Sequence, residues 1–139
     1  MTLPAEETLM RALGFVPRAA APGTATWQYQ VNREHFNGNG VVHGGLVMAL
    51  LDTAMGHAVA ALVAPEGFNA AAQMSVQFLE PIREGTVTAR AEVRKCGKRL
   101  AVVEAEATDD NGVVLAIATA SHAILKRKPA PPGREPGRS

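Results

Sequence analysis

The sequence predicts an α+β fold, a mainly antiparallel sheet around one long buried helix, and three observations carry that reading. Residues 44 to 64 form a nearly unbroken apolar segment in which alanine supplies much of the bulk, too long for a strand. The chain beyond residue 70 alternates apolar and polar side chains with a period of two. One strand pattern precedes the apolar segment and four follow it, with no second long helix among them. At 139 residues, 47% hydrophobic and 19% charged, the chain has the size and composition of a single globular domain.

Each element has its own signal. Ala5 to Leu13 carry helix formers and predict a short helix, so residues 1–23 read as that helix and its lead-in. With two glutamates and no basic leader, the first residues do not resemble a signal peptide. "TATWQYQV", Thr24 to Val31, has strand chemistry, and "NREHFNGNG" is a loop ending at a helix that begins near Gly44 or Gly45. About 20 apolar residues could cross a bilayer. Asp52, Gly56 and His57 interrupt this run and alternating strands follow, so a core helix is expected and no membrane. "APEGFN" closes it.

In "AAQMSVQF", Ala72, Met74, Val76 and Phe78 are expected to face one way and Gln73, Ser75 and Gln77 the other. In "TVTARAEVR", Val87, Ala89, Ala91 and Val93 alternate with polar residues. "CGK" turns at Gly97 into "RLAVVEAEAT", and "DDNG" at 109–112 marks a hairpin. "VVLAIATASHAIL" is apolar on both faces, as a central strand is. From Lys126 the sequence holds four of the nine prolines and five basic residues. The folded domain therefore reads as 1–125, and 126–139 as a basic, Pro-rich disordered tail.

Composition removes several function classes. A net charge of +1 gives no field for nucleic acid. Cys96 is the one cysteine, which precludes an internal disulfide and a Cys-rich zinc site and fits a reducing, cytoplasmic setting. No HExxH or paired-carboxylate spacing calls for a metal.

The chemistry gathers around Asp52, the single acid in the apolar helix. A carboxylate buried there without a partner is costly. Met48, Ala49, Met55 and Gly56 share its face at spacings of three and four, and none can pair with a charge. Upstream, "HGG" marks the helix start, where the first amides lack helical partners and lie at the positive end of the dipole. Such an end can hold an anion or a developing oxyanion. Gly44 and Asp52 are eight residues apart, about 12 Å along a helix at 1.5 Å per residue. One small group cannot span that. If the helix packs antiparallel on its copy, Asp52 of one chain can face Gly44 of the other, so catalysis here implies a symmetric dimer with shared sites.

"NGNGVVHGGLVMALLDTA" resembles the signature of the hot-dog-fold acyl-CoA thioesterases of the phenylacetate-degradation (PaaI-like) type, with an Asn six residues before the His and an acid nine after it. The likeness runs from about Trp27 to Ile124. It implies that Asp52 is the nucleophile or the general base that activates water, that the Gly44 amide polarises the thioester carbonyl, that Asn37 orients the carbonyl or the water, and that His43 braces the loop. Gly45, Met48 and Met55 would border the substrate. The implied partners are an acyl-CoA, aryl or medium-chain, and a second copy, in a dimer or a dimer of dimers; no cofactor is implied beyond the coenzyme A of the substrate. An Asp rather than a Glu favours this branch. Some relatives place a water-holding Ser on the strand after the helix, where this chain has Ala71, with Gln73 and Ser75 nearby.

Other readings of the same residues stand beside these. Asp52 could be a structural acid, Asn37 an Asn-Gly turn residue, and Gly44 and Gly45 aids to tight helix entry. "DTAMGH" imitates the Asp-x4-His of hot-dog hydratases, but five helical steps leave Asp52 and His57 roughly 140° apart, so His57 reads as structural. His35 and His122 carry no signal, and Cys96 reads as a free thiol. Arg94, Lys95, Lys98 and Arg99 bracket the "CGK" turn, either as a solvated turn or, for Lys95, Lys98 and Arg99, as a grip on coenzyme A phosphates. The rival functions are a non-catalytic acyl-CoA sensor and a hydratase or dehydratase.

Overall fold

The computed structural model describes residues 8–127. Helix α1 (Thr8–Ala12) leads into strands β1 (Phe15–Ala21) and β2 (Thr24–Gln30), and a single 3-10 turn at Arg33–His35 precedes the long helix α2 (Gly44–Val63). Strands β3 (Gly67–Phe78), β4 (Thr86–Cys96), β5 (Leu100–Thr108) and β6 (Val114–Lys126) complete the fold. All strands join one antiparallel sheet in the order β1-β2-β4-β5-β6-β3. One long helix laid on a six-stranded antiparallel sheet is the hot-dog architecture that the resemblance implied.

The core lies between α2 and one face of the sheet. Leu50, Leu51, Ala54, Met55, Ala58 and Val59 pack under the helix onto Trp27, Val87, Ala89, Ala91, Val103 and Ala118. Alternation in β4 and β5 follows the period of two: Val87, Ala89 and Ala91 are buried, and so are Ala101, Val103, Ala105 and Ala107. Small residues under the helix let it sit close to the sheet. The "DDNG" hairpin forms as expected, with Asp109 Oδ1 accepting from the Asn111 and Val113 amides and Gly112 taking a positive φ of 79°.

Four expectations need correction. Residues 15–21 are a strand, not a lead-in; Pro17 obscured it, and Pro is tolerated here because β1 lies at the sheet edge. β3 begins at Gly67, inside "APEGFN". The helix is covered by the sheet on one side only, so Asp52 and Met48 are exposed in the single chain and Asp52 is not a buried acid. Met55, by contrast, is 0% exposed. It belongs to the sheet side of α2 and does not share the open face of Asp52.

β3 also departs from simple alternation. Its register against β6 passes from Ala71↔His122 to Gln73↔Ser121, leaving Ala72 as a β-bulge. Counting back from Met74 by twos would turn Ala72, Ala70 and Phe68 toward the helix. The bulge reverses this, so Asn69 and Ala71 face α2, and Asn69 Nδ2 donates to the Gly56 carbonyl at 3.1 Å. Gln73 and Ser75 are exposed and bonded to each other, Gln73 Nε2 donating to Ser75 Oγ at 2.8 Å. The expected tail lies almost wholly outside the described residues, as does the start of the expected N-terminal helix.

Candidate active site

The loop before α2 is braced by a chain of ring and backbone contacts. The Asn32 amide donates to Tyr29 Oη at 3.1 Å, and the Tyr29 hydroxyl is hydrogen-bonded to His35 Nδ1 at 2.7 Å. Burial pushes the Tyr29 phenol up, and the Asn32 amide partly opposes this. The His35 carbonyl then accepts from the His43 amide at 2.9 Å, and His43 Nδ1 accepts from the Gly45 amide at 2.8 Å. His43 is the N-cap of α2, which places the proton of its neutral ring on Nε2. A Cβ on Gly45 would lie 2.9 Å from that Nδ1, so a side chain here would force the capping ring to shift. His43 thus caps α2, and His35, which carried no signal in the sequence, accepts from its backbone amide.

With the Gly45 amide on His43 Nδ1, and the Leu46 and Val47 amides on the His43 carbonyl, Gly44 N–H has no acceptor among the described residues. Asn37 stands beside it. Its Oδ1 accepts from the Asn39 amide at 2.9 Å, an Asx turn that does not use the Nδ2 donor. Asn37 thus serves a turn through Oδ1, which is compatible with a second role for Nδ2. Asn37, Gly44, Val47, Phe78 and Ile82 line one surface depression of about 330 Å3. Two N–H donors at a helix N-terminus can polarise a carbonyl oxygen placed there.

Asp52 lies elsewhere. It borders a second depression of about 340 Å3 with Thr53, Gly56, His57, Asn69, Ala71 and His122. Met10 of α1 closes one side, with Sδ 2.7 Å from Thr53 Oγ1. His57 reaches this depression, although its ring is held back: Nδ1 donates to the Thr53 carbonyl at 2.8 Å and the ring packs on Trp27 with centroids 4.8 Å apart. His122 is 1% exposed, its Nδ1 bonded to Asn69 Oδ1 at 2.8 Å. Burial holds the His122 imidazole below the usual histidine range, and the Asp52 carboxylate acts in the opposite sense. Gln73 and Ser75 point away, so neither stands in for a serine at Ala71.

The remaining predicted residues are spread over the surface. Met48 is 38% exposed and Gly45 is exposed, both on the open side of α2. Lys95, Lys98 and Arg99 are exposed around the turn between β4 and β5, and Arg94 contacts Glu92 and Glu104 at 3.7 Å each. Another depression, about 530 Å3, has Glu92, Glu104 and Glu106 in its wall against the single cation Arg90, a poor surface for an anionic ligand.

Residues 39–116, spanning the helix N-terminus, Asp52 and most of the sheet, match the family described as the thioesterase superfamily. The chain belongs to the thioesterase superfamily. This thioesterase is 31% identical to human acyl-coenzyme A thioesterase 13 over 66% of its own length and 65% of that protein. It is 26% identical to the 1,4-dihydroxy-2-naphthoyl-CoA hydrolase of Listeria monocytogenes, covering 86% and 98% of the two chains. The solved PaaI protein from the phenylacetic acid degradation operon of E. coli superposes with a TM-score of 0.80 at 26% identity, over 88% and 86% of the respective chains. The protein is therefore a thioester hydrolase of hot-dog fold.

Proposed function

We propose that this thioesterase hydrolyses acyl-CoA, with an aryl or medium-chain acyl group, in sites shared between two copies of the chain. One observation carries the reading: the carbonyl-polarising donors, Gly44 N–H and Asn37 Nδ2, and the carboxylate of Asp52 lie in separate depressions on the open side of one helix. An antiparallel copy brings the donors of one chain to the acid of the other. The 12-residue β3 at the sheet edge supports pairing, because a long edge strand is otherwise a liability. Asp52 acts as general base on water or as the nucleophile that forms a transient anhydride; in both routes the thioester C–S bond breaks and coenzyme A leaves as the thiol. Lys95, Lys98 and Arg99 hold the coenzyme A phosphates, and Met48 borders the acyl group. No further cofactor is needed, and a cytoplasmic setting fits the single free Cys96.

The test is thiol release from a panel of aromatic and aliphatic acyl-CoA thioesters by wild type and Asp52→Asn. A fall of about a hundredfold or more in the variant is expected, the order for a lost acid-base group. Binding without turnover by wild type would instead favour an acyl-CoA sensor.

A further inference from the structure

We propose that His122 is a catalytic residue of this site, its Nε2 accepting a hydrogen bond from the water that Asp52 activates. The inference rests on the thioesterase reading with Asp52 as general base, and deepens it. Four observations support it. His122 is 1% exposed, and its Nε2 is a buried polar atom without a hydrogen-bond partner among the described residues, a condition that is rare and costly unless a ligand or water serves it. The ring borders the depression that Asp52 borders, close enough for the carboxylate to act on it electrostatically.

The tautomer is fixed. Asn69 Nδ2 donates to the Gly56 carbonyl at 3.1 Å, which turns Asn69 Oδ1, an acceptor, toward His122. The Nδ1 at 2.8 Å must carry the proton, so the neutral ring presents a lone pair at Nε2. Burial keeps that ring neutral where an ordinary histidine begins to charge. Around the same depression, Ala71, directly across the strand pair from His122, has no polar group, the His57 ring is tied to Thr53 and Trp27, and the Thr53 hydroxyl donates to the Ala49 carbonyl at 2.7 Å.

A water that donates one hydrogen to Asp52 and the other to His122 has a lone pair left to aim at the thioester carbon. The water oxygen forms the new C–O bond while its proton passes to the Asp52 carboxylate. The tetrahedral adduct collapses, the C–S bond breaks, and the departing sulfur takes the proton from Asp52. His122 gives and takes no proton; it fixes the direction of attack. The titratable groups facing it are Asp52 and His57 from α2, while β3 and β5 present the uncharged Asn69, Ala71 and Ala101.

The experiment compares kcat, KM and pH profiles of wild type, Asp52→Asn, His122→Ala, Asn69→Ala and the double variant Ala71→Ser/His122→Ala, using an aryl and a medium-chain acyl-CoA. His122→Ala is expected to lower kcat by at least about tenfold with little change in KM, and to remove the acid limb that protonation of Nε2 gives the wild type. Ala71→Ser should restore part of the lost kcat, because its hydroxyl lies across from the missing ring. Asn69→Ala keeps the ring but frees its tautomer, so it should lower kcat and move the acid limb, and it serves should His122→Ala not fold. If Asp52→Asn is inactive while the His122 and Asn69 variants keep wild-type kcat and pH profile, the role of His122 is overturned and the thioesterase reading stands. A wild type inert on every thioester overturns both.

Discussion

Asp52 is flanked on its helix by two methionines, and burial separates what each can be asked to do. Met55 is sealed against the sheet, so Met55→Ala should cost about 2–5 kcal/mol of stability, as large-to-small core changes do, and leave acyl preference unchanged. Met48 is exposed on the side of Asp52; Met48→Ala should leave the unfolding midpoint nearly unchanged and alter the ranking of acyl-CoA substrates. Denaturant unfolding and a substrate panel together check the pair. His122 gives a second residue-scale expectation. Its folded pKa lies below the ordinary 6.5, so the unfolded chain takes up this proton first. Its contribution to stability is whole above about pH 6.5 and is lost as the pH falls from there through the folded pKa. Unfolding measured at stepped pH should show this slope in wild type and lack it in His122→Ala. The spacing shared with the resembled family singled out Asp52, Gly44, Asn37 and His43 as candidates in the sequence. His122 and Asn69 were not, because their meeting depends on which strands pair and in what register, and neither is written in local periodicity.

At the scale of elements, α2 is the most informative part of the chain. Its length, its start near Gly44 or Gly45 and its apolar content were all readable, since a 20-residue apolar run admits few alternatives. Which side faced the sheet was not, because the helix is apolar nearly all round and its periodicity is weak. The start of α2 depends on the contact between the His43 ring and the Gly45 amide. His43→Ala should cost about 1 kcal/mol, the usual loss for a removed N-cap, and Gly45→Ala should cost at least as much, because its methyl would displace the same ring. Thermal unfolding checks both, and thioester turnover should fall in each as the Gly44 amide loses its fixed place. β1 escaped the sequence reading through Pro17 and its run of alanines, which give no alternation. The hairpin at 109–112 did not escape, because Asp109 and Gly112 carry the turn geometry in their own chemistry.

For the whole molecule, the proposed function makes activity a property of the assembly, because donors and acid lie in two separate depressions. If donors and acid come from different chains, Asn37→Ala and Asp52→Asn homodimers are both inactive in every site. Mixed after partial unfolding and refolding together, they should regain activity, since each hybrid contains one site built from two intact halves. Absence of recovery, with hybrids demonstrated by mass, would place both groups in one chain. The fold class, antiparallel sheet and single long helix were legible because they follow from the order of patterns along the chain. The openness of Asp52 was not, because a sequence reports that a residue lies in an apolar helix without reporting whether its own sheet or another copy covers it.

The bulge at Ala72 has an implication for how this site could be lost. Deleting one residue between Ala70 and Gln73 would leave composition, hydrophobic content and the pairing of β3 with β6 nearly intact. The first half of the strand would nevertheless change sides, offering Phe68 and Ala70 to the helix and turning Asn69 outward. His122 would keep its place but lose the neighbour that sets its proton. In the descent of related chains, a change in strand length would then erase this arrangement more readily than most substitutions, and it would do so without disturbing the fold.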